Sequence, residues 1–242
     1  MGEPRLRGKI AAVTGGGSGL GRALVLALAR EGADVAFSFR DSARGAGEAA
    51  SAVRAAGRRA WTSRADARRA GEIALFVDEA AAEMGGLDVL VNNVGVFRKT
   101  PLGELTEDAL DEAFAVNVKA AVMASRAAAP HMRRRGAGSI VNVASLGGLR
   151  PWPSYVAYCA TKAALVMATQ VLSVALAPEI RVNAVAPGVL DPPGADDAVR
   201  KKIPAGRFGT HADAAEVVLF LAAGESYVTG EVIRVDGGRA LR

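Results

Sequence analysis

A chain of 242 residues, half of them hydrophobic, can bury one full core; it has no disordered bias and no unbroken apolar run that spans a bilayer. Its net charge of +5 is carried mostly by arginine, yet the basic clusters at Arg58–Arg59, Arg68–Arg69 and Arg133–Arg135 are dispersed and lack interleaved aromatics. That pattern argues against nucleic-acid binding. The start, Met1 to Lys9, is polar and basic rather than signal-like, and the single cysteine, Cys159, allows no internal disulfide, so a reducing cytoplasm and no membrane are expected.

The chain alternates. Residues 9–13 read as a buried strand and 19–31 as a helix closed by Gly32. Strand 34–39 precedes helix 42–56; the weak strand 60–63 precedes helix 70–84, which Gly85–Gly86 end. Strand 87–91 follows, then a long helix from Thr106 to Ala129, with Glu107 and Asp108 in its first turn. Strand 139–143, helix 154–176, strand 180–185, helix 212–223 and strand 231–235 complete the series. Short apolar strands alternating with helices predict a doubly wound, mostly parallel seven-stranded sheet with helices on both faces. No linker or repeat interrupts it, so residues 1–242 are expected to form a single α/β domain.

Chemistry concentrates between Ser145 and Lys162. Ser145 lies where the fifth strand ends, at the edge where parallel α/β sheets place ligands. After a Gly/Pro loop, Tyr158 and Lys162 stand four apart on a helix and so share one face. A free phenol titrates near ~10; an adjacent ammonium favours its ionised form. Such a Tyr could trade a proton with an alcohol or carbonyl oxygen that Ser145 hydrogen-bonds.

The other signal is the turn Thr14-Gly15-Gly16-Gly17-Ser18-Gly19-Leu20-Gly21, between the first strand and the first helix. Its Gly-x-x-x-Gly-x-Gly spacing in that context predicts a pyrophosphate against the helix N-terminus. At the end of the second strand, Arg40 stands where an NAD-preferring site carries a carboxylate, and its planar fork suits a 2′-phosphate. Asp41 next to it argues mildly the other way. NADP(H) is therefore expected over NAD. No metal is expected.

In order, Thr14-Gly-x-x-x-Gly-x-Gly21, Asp66, Asn92-Asn93-Val94-Gly95, Asn117, Ser145, Tyr158-x-x-x-Lys162 and Pro187-Gly188 resemble the motifs of the short-chain dehydrogenase/reductase superfamily, over essentially the whole chain. The resemblance implies a Rossmann fold and a cofactor held by Gly15, Gly17, Ser18, Gly19, Leu20, Arg40, Ser42 and Ala67. It implies that Asp66 bonds the adenine and that Asn93 and Gly95 shape the loop under a ribose. Pro187, Gly188 and Leu190 would flank the nicotinamide. Asn117, Ser145, Tyr158 and Lys162 would be catalytic, with Asn117 holding a relay water through its backbone and Lys162 also binding the nicotinamide ribose. Ser145, Tyr158 and Phe97 would meet the substrate. Tyr155 is the competing phenol; the spacing selects Tyr158.

Two positions depart from the family pattern. Val94 replaces the usual Ala, and Asp191-Pro192-Pro193 stands where a Thr commonly contacts the carboxamide; main-chain contacts from Val189 or Leu190 would serve instead. Residues 189–208 would form a short substrate lid. The pattern is similar to 3-oxoacyl-carrier-protein reductases, with Arg98, Lys99 or Arg150 to meet an acidic carrier protein and a small-molecule or acyl-thioester carbonyl as substrate. The alternative is a pteridine reductase, in which an aromatic residue such as Phe97 stacks on the pterin. A non-enzymatic NADP(H) sensor would need a damaged catalytic set, and all four positions are intact. Helix 156–176 is apolar nearly all round and helix 106–129 has a similar excess, which points to a partner surface. The family pairs these two helices between subunits, and strand 231–235 resembles its second interface, so the resemblance implies a homotetramer of 222 symmetry.

Overall fold

The computed structural model describes residues 3–242 apart from 193, 195, 196 and 225. Seven strands, β1 (Ile10–Val13), β2 (Asp34–Phe39), β3 (Ala60–Arg64), β4 (Val89–Asn92), β5 (Gly138–Val143), β6 (Ile180–Pro187) and β7 (Val232–Val235), form one sheet in the order β3-β2-β1-β4-β5-β6-β7. Every pairing is parallel, so the sheet is wholly rather than mostly parallel. β1 and β4 are buried along their whole length, as strands covered on both faces must be. Helices α1 (Gly19–Arg30) and α2 (Ala43–Ala55) cover one face with α8 (His211–Ala222); α3 (Ala70–Met84) and α5 (Ala120–Arg134) cover the other. The order reverses between β1 and β4, which opens a crevice beyond their carboxyl ends.

Four boundaries differ from expectation for physical reasons. The helix expected over 106–129 is α4 (Glu107–Phe114), a π-helical turn (Ala115–Lys119) and α5, which continues through Pro130 because fully buried Met132 anchors its last turn. α6 (Val156–Ala175) starts later than residue 154, since Ser154 accepts from Thr100 N–H and Tyr155 bridges Thr100. β6 extends to Pro187 because β7 pairs with it that far. A four-residue helix, α7 (Asp197–Arg200), lies within the segment read as a lid.

α6 departs most from its sequence pattern. Instead of an apolar surface all round, it buries Thr161, Lys162, Thr169 and Ser173 alongside Ala157 and Leu165. Its hydroxyls turn back on the main chain: Thr161 donates to the Tyr158 carbonyl, Thr169 to Leu165 and Ser173 to Gln170. Met167 and Val171 stay 58% exposed and Val174 79%. Among the described residues α6 is the one helix whose length and composition could cross a bilayer. Here it packs along the sheet's second face.

Candidate active site

The turn after β1 is held from three sides. Ser38 accepts from Gly15 N–H and Gly16 N–H, the first at its hydroxyl and the second at its carbonyl. Thr14 Oγ1 accepts from the amides of Asn93 and Val94, and Asn93 Nδ2 donates to the carbonyls of Thr14 and Gly15. Asn93 thus ties the β4 loop to the glycine turn. A Cβ at Gly21 would overlap the Gly15 carbonyl oxygen and approach Asn93 Nδ2 to 2.6 Å, so only glycine fits there.

The crevice above this turn has a volume of about 450 Å³ and is lined by Gly15, Ser18, Leu20, Gly21, Arg40, Ser42, Asp66, Ala67, Asn93 and Gly95 among others. Of the expected cofactor residues, Gly17 and Gly19 do not line it. Gly17 packs against Ser42, whose hydroxyl a Cβ would overlap, and Gly19 begins α1 with φ 50°. Gly21 lines it as well, although the expected cofactor set omitted this last glycine of the fingerprint. Arg40 lies on the rim with Nε 2.5 Å from Asp41 Oδ2; both side chains are about half exposed. Asp66 receives the Arg68 guanidinium and amide, and that pairing holds its carboxyl down at about 2.

A second cavity of about 430 Å³ shares Leu20, Asn93, Gly95 and Val96 with the first, so the two are continuous. Ser145, Tyr158, Lys162, Phe97, Pro187, Gly188 and Leu190 all line it. The hydroxyl, the phenol and the ammonium therefore converge as their spacing predicted. The ionisation of Tyr158 does not follow the expectation. Burial pushes the phenol above its ordinary value, and the Ser145 hydroxyl beside it only partly opposes this. Lys162 is buried as well, donates from Nζ to the Val143 carbonyl at 2.7 Å, and is lowered to about 8 by desolvation. Its Nζ stands 5.9 Å from the Tyr158 ring centroid.

Asn117 sits in the π turn, where the i→i−4 ladder is broken. Its Oδ1 accepts from Val96 N–H at 2.7 Å, and its Nδ2 donates to Thr161 Oγ1 at 2.9 Å. A side chain expected to act through its backbone thus also fastens the Val96 loop to α6. A Cβ on Gly95 would come within 3.2 Å of Asn117 Oδ1 and 3.3 Å of Lys162 Nζ.

Two side chains of the wall, Trp152 and His211, were not anticipated, and Tyr155, weighed only as the competing phenol, packs on Phe97 and Trp152. Phe97 stacks on Tyr155 at 4.9 Å between centroids and meets Tyr158 edge-on at 4.8 Å, while Trp152 lies parallel to Tyr158 at 6.1 Å. The density of aromatics in Trp152-Pro-Ser-Tyr155-Val-Ala-Tyr158 was the available signal. His211 lines the cavity from the start of α8. Where the family's Thr is missing, Asp191 adopts φ 37° and accepts from His211 N–H at 2.7 Å, which ties the β6 loop to α8. Two residues expected to face a carrier protein are otherwise engaged. Arg98 pairs with Glu112 at 3.2 Å, and Arg150 donates to main-chain oxygens of Arg239 and Ala240.

Comparison with known proteins agrees with this geometry. Residues 15–240 match the family model described as enoyl-(acyl carrier protein) reductase. The chain is 35% identical over 243 residues to the 3-oxoacyl-[acyl-carrier-protein] reductase of Thermotoga maritima, covering 97% of this chain and 98% of that one. It is 36% identical to galactitol 2-dehydrogenase of Agrobacterium fabrum over 256 residues, with 97% and 98% covered. A short-chain dehydrogenase of Burkholderia cenocepacia, solved in complex with NADP, superposes with a TM-score of 0.93 at 40% identity, covering 97% of this chain and 99% of that one. With the glycine turn, the parallel sheet and the Ser–Tyr–Lys convergence already on the same scaffold, the chain belongs to the short-chain dehydrogenase/reductase superfamily and is an oxidoreductase.

Proposed function

We propose that this enzyme reduces a carbonyl to a secondary alcohol with NADPH, Tyr158 being the proton donor. The observation that carries this reading is the convergence of Ser145, Tyr158 and Lys162 in a cavity continuous with a glycine-floored crevice. The crevice fits a dinucleotide: side chains are absent where a pyrophosphate would approach the amides of α1, and Gly95 leaves room beside Lys162. When bound, NADPH supplies a hydride to the carbonyl carbon and leaves oxidised.

The protein's part is the oxygen end. A phenol raised by burial stays protonated at neutral pH, the state that can give its Oη proton to the forming alkoxide. Ser145 hydrogen-bonds the same oxygen, and Lys162, with a value of about 8, is suited to return a proton toward Tyr158. Asn117 keeps the Val96 loop and α6 in register. Of the segment 189–208 expected to form a lid, Val189, Leu190 and Pro192 line the cavity; residues 193, 195 and 196 lie outside the described residues.

Arg40 sets the cofactor choice. Its pair with Asp41 is exposed and costs little to exchange for a 2′-phosphate. Arg40→Asp is expected to weaken NADPH by about 100-fold while NADH changes less than threefold, a swing of about 2.7 kcal/mol. Fluorescence titration of both cofactors measures it, and an unchanged ratio removes Arg40 from the site.

For the substrate we favour a 3-oxoacyl thioester, on similarity to the Thermotoga reductase. The Phe97–Tyr155 stack supports a second reading, a flat ring such as a pterin lying against Phe97, which is 63% exposed. Assaying ketones, 3-oxoacyl thioesters and pterins with NADPH separates the two; turnover of none would overturn carbonyl reduction.

We also propose a homotetramer. Met167, Val171 and Val174 on α6 and Phe114 on α4 leave apolar side chains exposed, as does Phe220 on α8, which packs beside β7. Light scattering at micromolar concentration is expected to show four chains. A monomer refutes both interfaces, and a stable dimer refutes one.

A further inference from the structure

Beside the reaction cavity lies a separate cleft of about 360 Å³ to which neither the fold nor the catalytic set assigns a role. Five cationic residues line it: Arg150, Lys201, Lys202, Arg239 and Arg242. Among the described residues no acidic side chain does. Asp236 accepts from the amides of Gly238 and Ala240, and Asp197 pairs with Arg200. Arg150 is the organiser. It donates to the main-chain oxygens of Arg239 and Ala240 at 3.0 Å and to that of Arg242, which folds the last turn over the loop after β5. This brings the arginines at 239 and 242 to the lysines at 201 and 202. Like charges gathered in one concavity repel each other, and the arrangement is relieved when a multivalent anion enters.

The cleft also has a fixed relation to the chemistry, because Trp152 lines both cavities. One face of the reaction chamber is therefore one wall of the basic cleft. A molecule whose carbonyl sits against Tyr158 would pass Trp152 to place its far end among the cations.

We propose that this cleft holds the phosphate groups of the substrate's tail: the enzyme takes a thioester of a phosphopantetheine-type arm and reads the arm's phosphates with Lys201, Lys202, Arg239 and Arg242. This rests on the thioester reading above. Lysine and arginine together suit such a ligand, lysine as a mobile point charge and arginine as a bidentate fork.

The test compares a 3-oxoacyl-coenzyme A with the same acyl group carried on N-acetylcysteamine, which has no phosphate. Wild type is expected to favour the coenzyme A thioester at least tenfold in kcat/KM, through KM, with the advantage shrinking as salt rises. Lys201→Glu/Lys202→Glu alters two exposed side chains. It is expected to raise KM for the coenzyme A thioester at least tenfold at unchanged kcat, and to change the phosphate-free thioester less than twofold. Equal effects on both, or no preference in wild type, overturn the proposal. A carrier-protein thioester brings the same arm with a single phosphodiester; a smaller loss on it than on coenzyme A identifies the free coenzyme as the source, and equal losses identify the carrier arm. If neither thioester is reduced, the reaction assignment has failed and the cleft is judged alone. Coenzyme A is then titrated calorimetrically into NADPH-saturated protein, where the dinucleotide crevice is already filled. Binding that the double variant weakens tenfold supports the cleft, and absence of binding to wild type refutes it.

Discussion

Tyr158→Phe is expected to lower kcat by about 10³-fold while NADPH binds within twofold of wild type. The substitution removes one oxygen and keeps the ring, so the contacts with Phe97 and Trp152 survive and the fold has no reason to change. What disappears is the proton donor for the forming alkoxide. The pH profile carries a second signature. In wild type the free enzyme loses the Lys162 charge first, near 8, so kcat/KM begins to decline there as pH rises. Tyr158 is raised by burial, so its acid form persists past the ordinary phenol range of about 10 and is lost only above it. In Tyr158→Phe the residual rate keeps the lower limb and loses the upper one. Tyr155→Phe, which alters a residue stacked on Phe97, should cost less than tenfold. Stopped-flow and steady-state rates settle the matter: near-normal turnover in Tyr158→Phe removes it as the acid.

The second large effect is expected at the floor of the crevice. In Gly21→Ala the new methyl has no room, because a main-chain oxygen and the Asn93 amide occupy its place. A long side chain could swing aside, but the Gly15 carbonyl cannot move without breaking its bond from Asn93. The turn must open. NADPH affinity is expected to fall by about 100-fold, about 2.7 kcal/mol, and stability by about 3 kcal/mol, the upper range for overpacking. Gly47→Ala is the matched control. It lies inside α2 with nothing within 4 Å of its added methyl, so it should stabilise the helix by about 0.5–1 kcal/mol. Calorimetric titration with NADPH and a thermal melt read both variants; Gly21→Ala behaving like wild type in each would refute this account of the turn.

Local and periodic features were legible in the chain itself. β1, α3 and the glycine turn come from hydrophobic runs and glycine positions, and Ser145, Tyr158 and Lys162 meet because one strand end and one helix turn bring them together. What the sequence concealed depends on distance along the chain. Trp152 reaches the cavity from a loop and His211 from the first turn of α8, and Arg150 finds its acceptors about 90 residues away. The protonation of Tyr158 is hidden for the same reason: a neighbouring lysine is visible in sequence, while the burial that raises the phenol is not. The π turn at Asn117 interrupts a pattern that reads as one helix, since composition does not register a single inserted residue in the ladder.

α6 keeps Met167, Val171 and Val174 outside while Thr161, Thr169 and Ser173 are buried, the reverse of what a solitary soluble helix favours. The hydroxyls meet main-chain partners whether the chain is alone or not, but on the proposed assembly Met167, Val171 and Val174 meet water until another copy arrives. Folding and assembly then share one mass-action balance, so the thermal midpoint climbs with protein concentration. The dilute chain is the vulnerable species. Its apolar stripe is most open to mispairing and proteolysis just after synthesis, when copies are few.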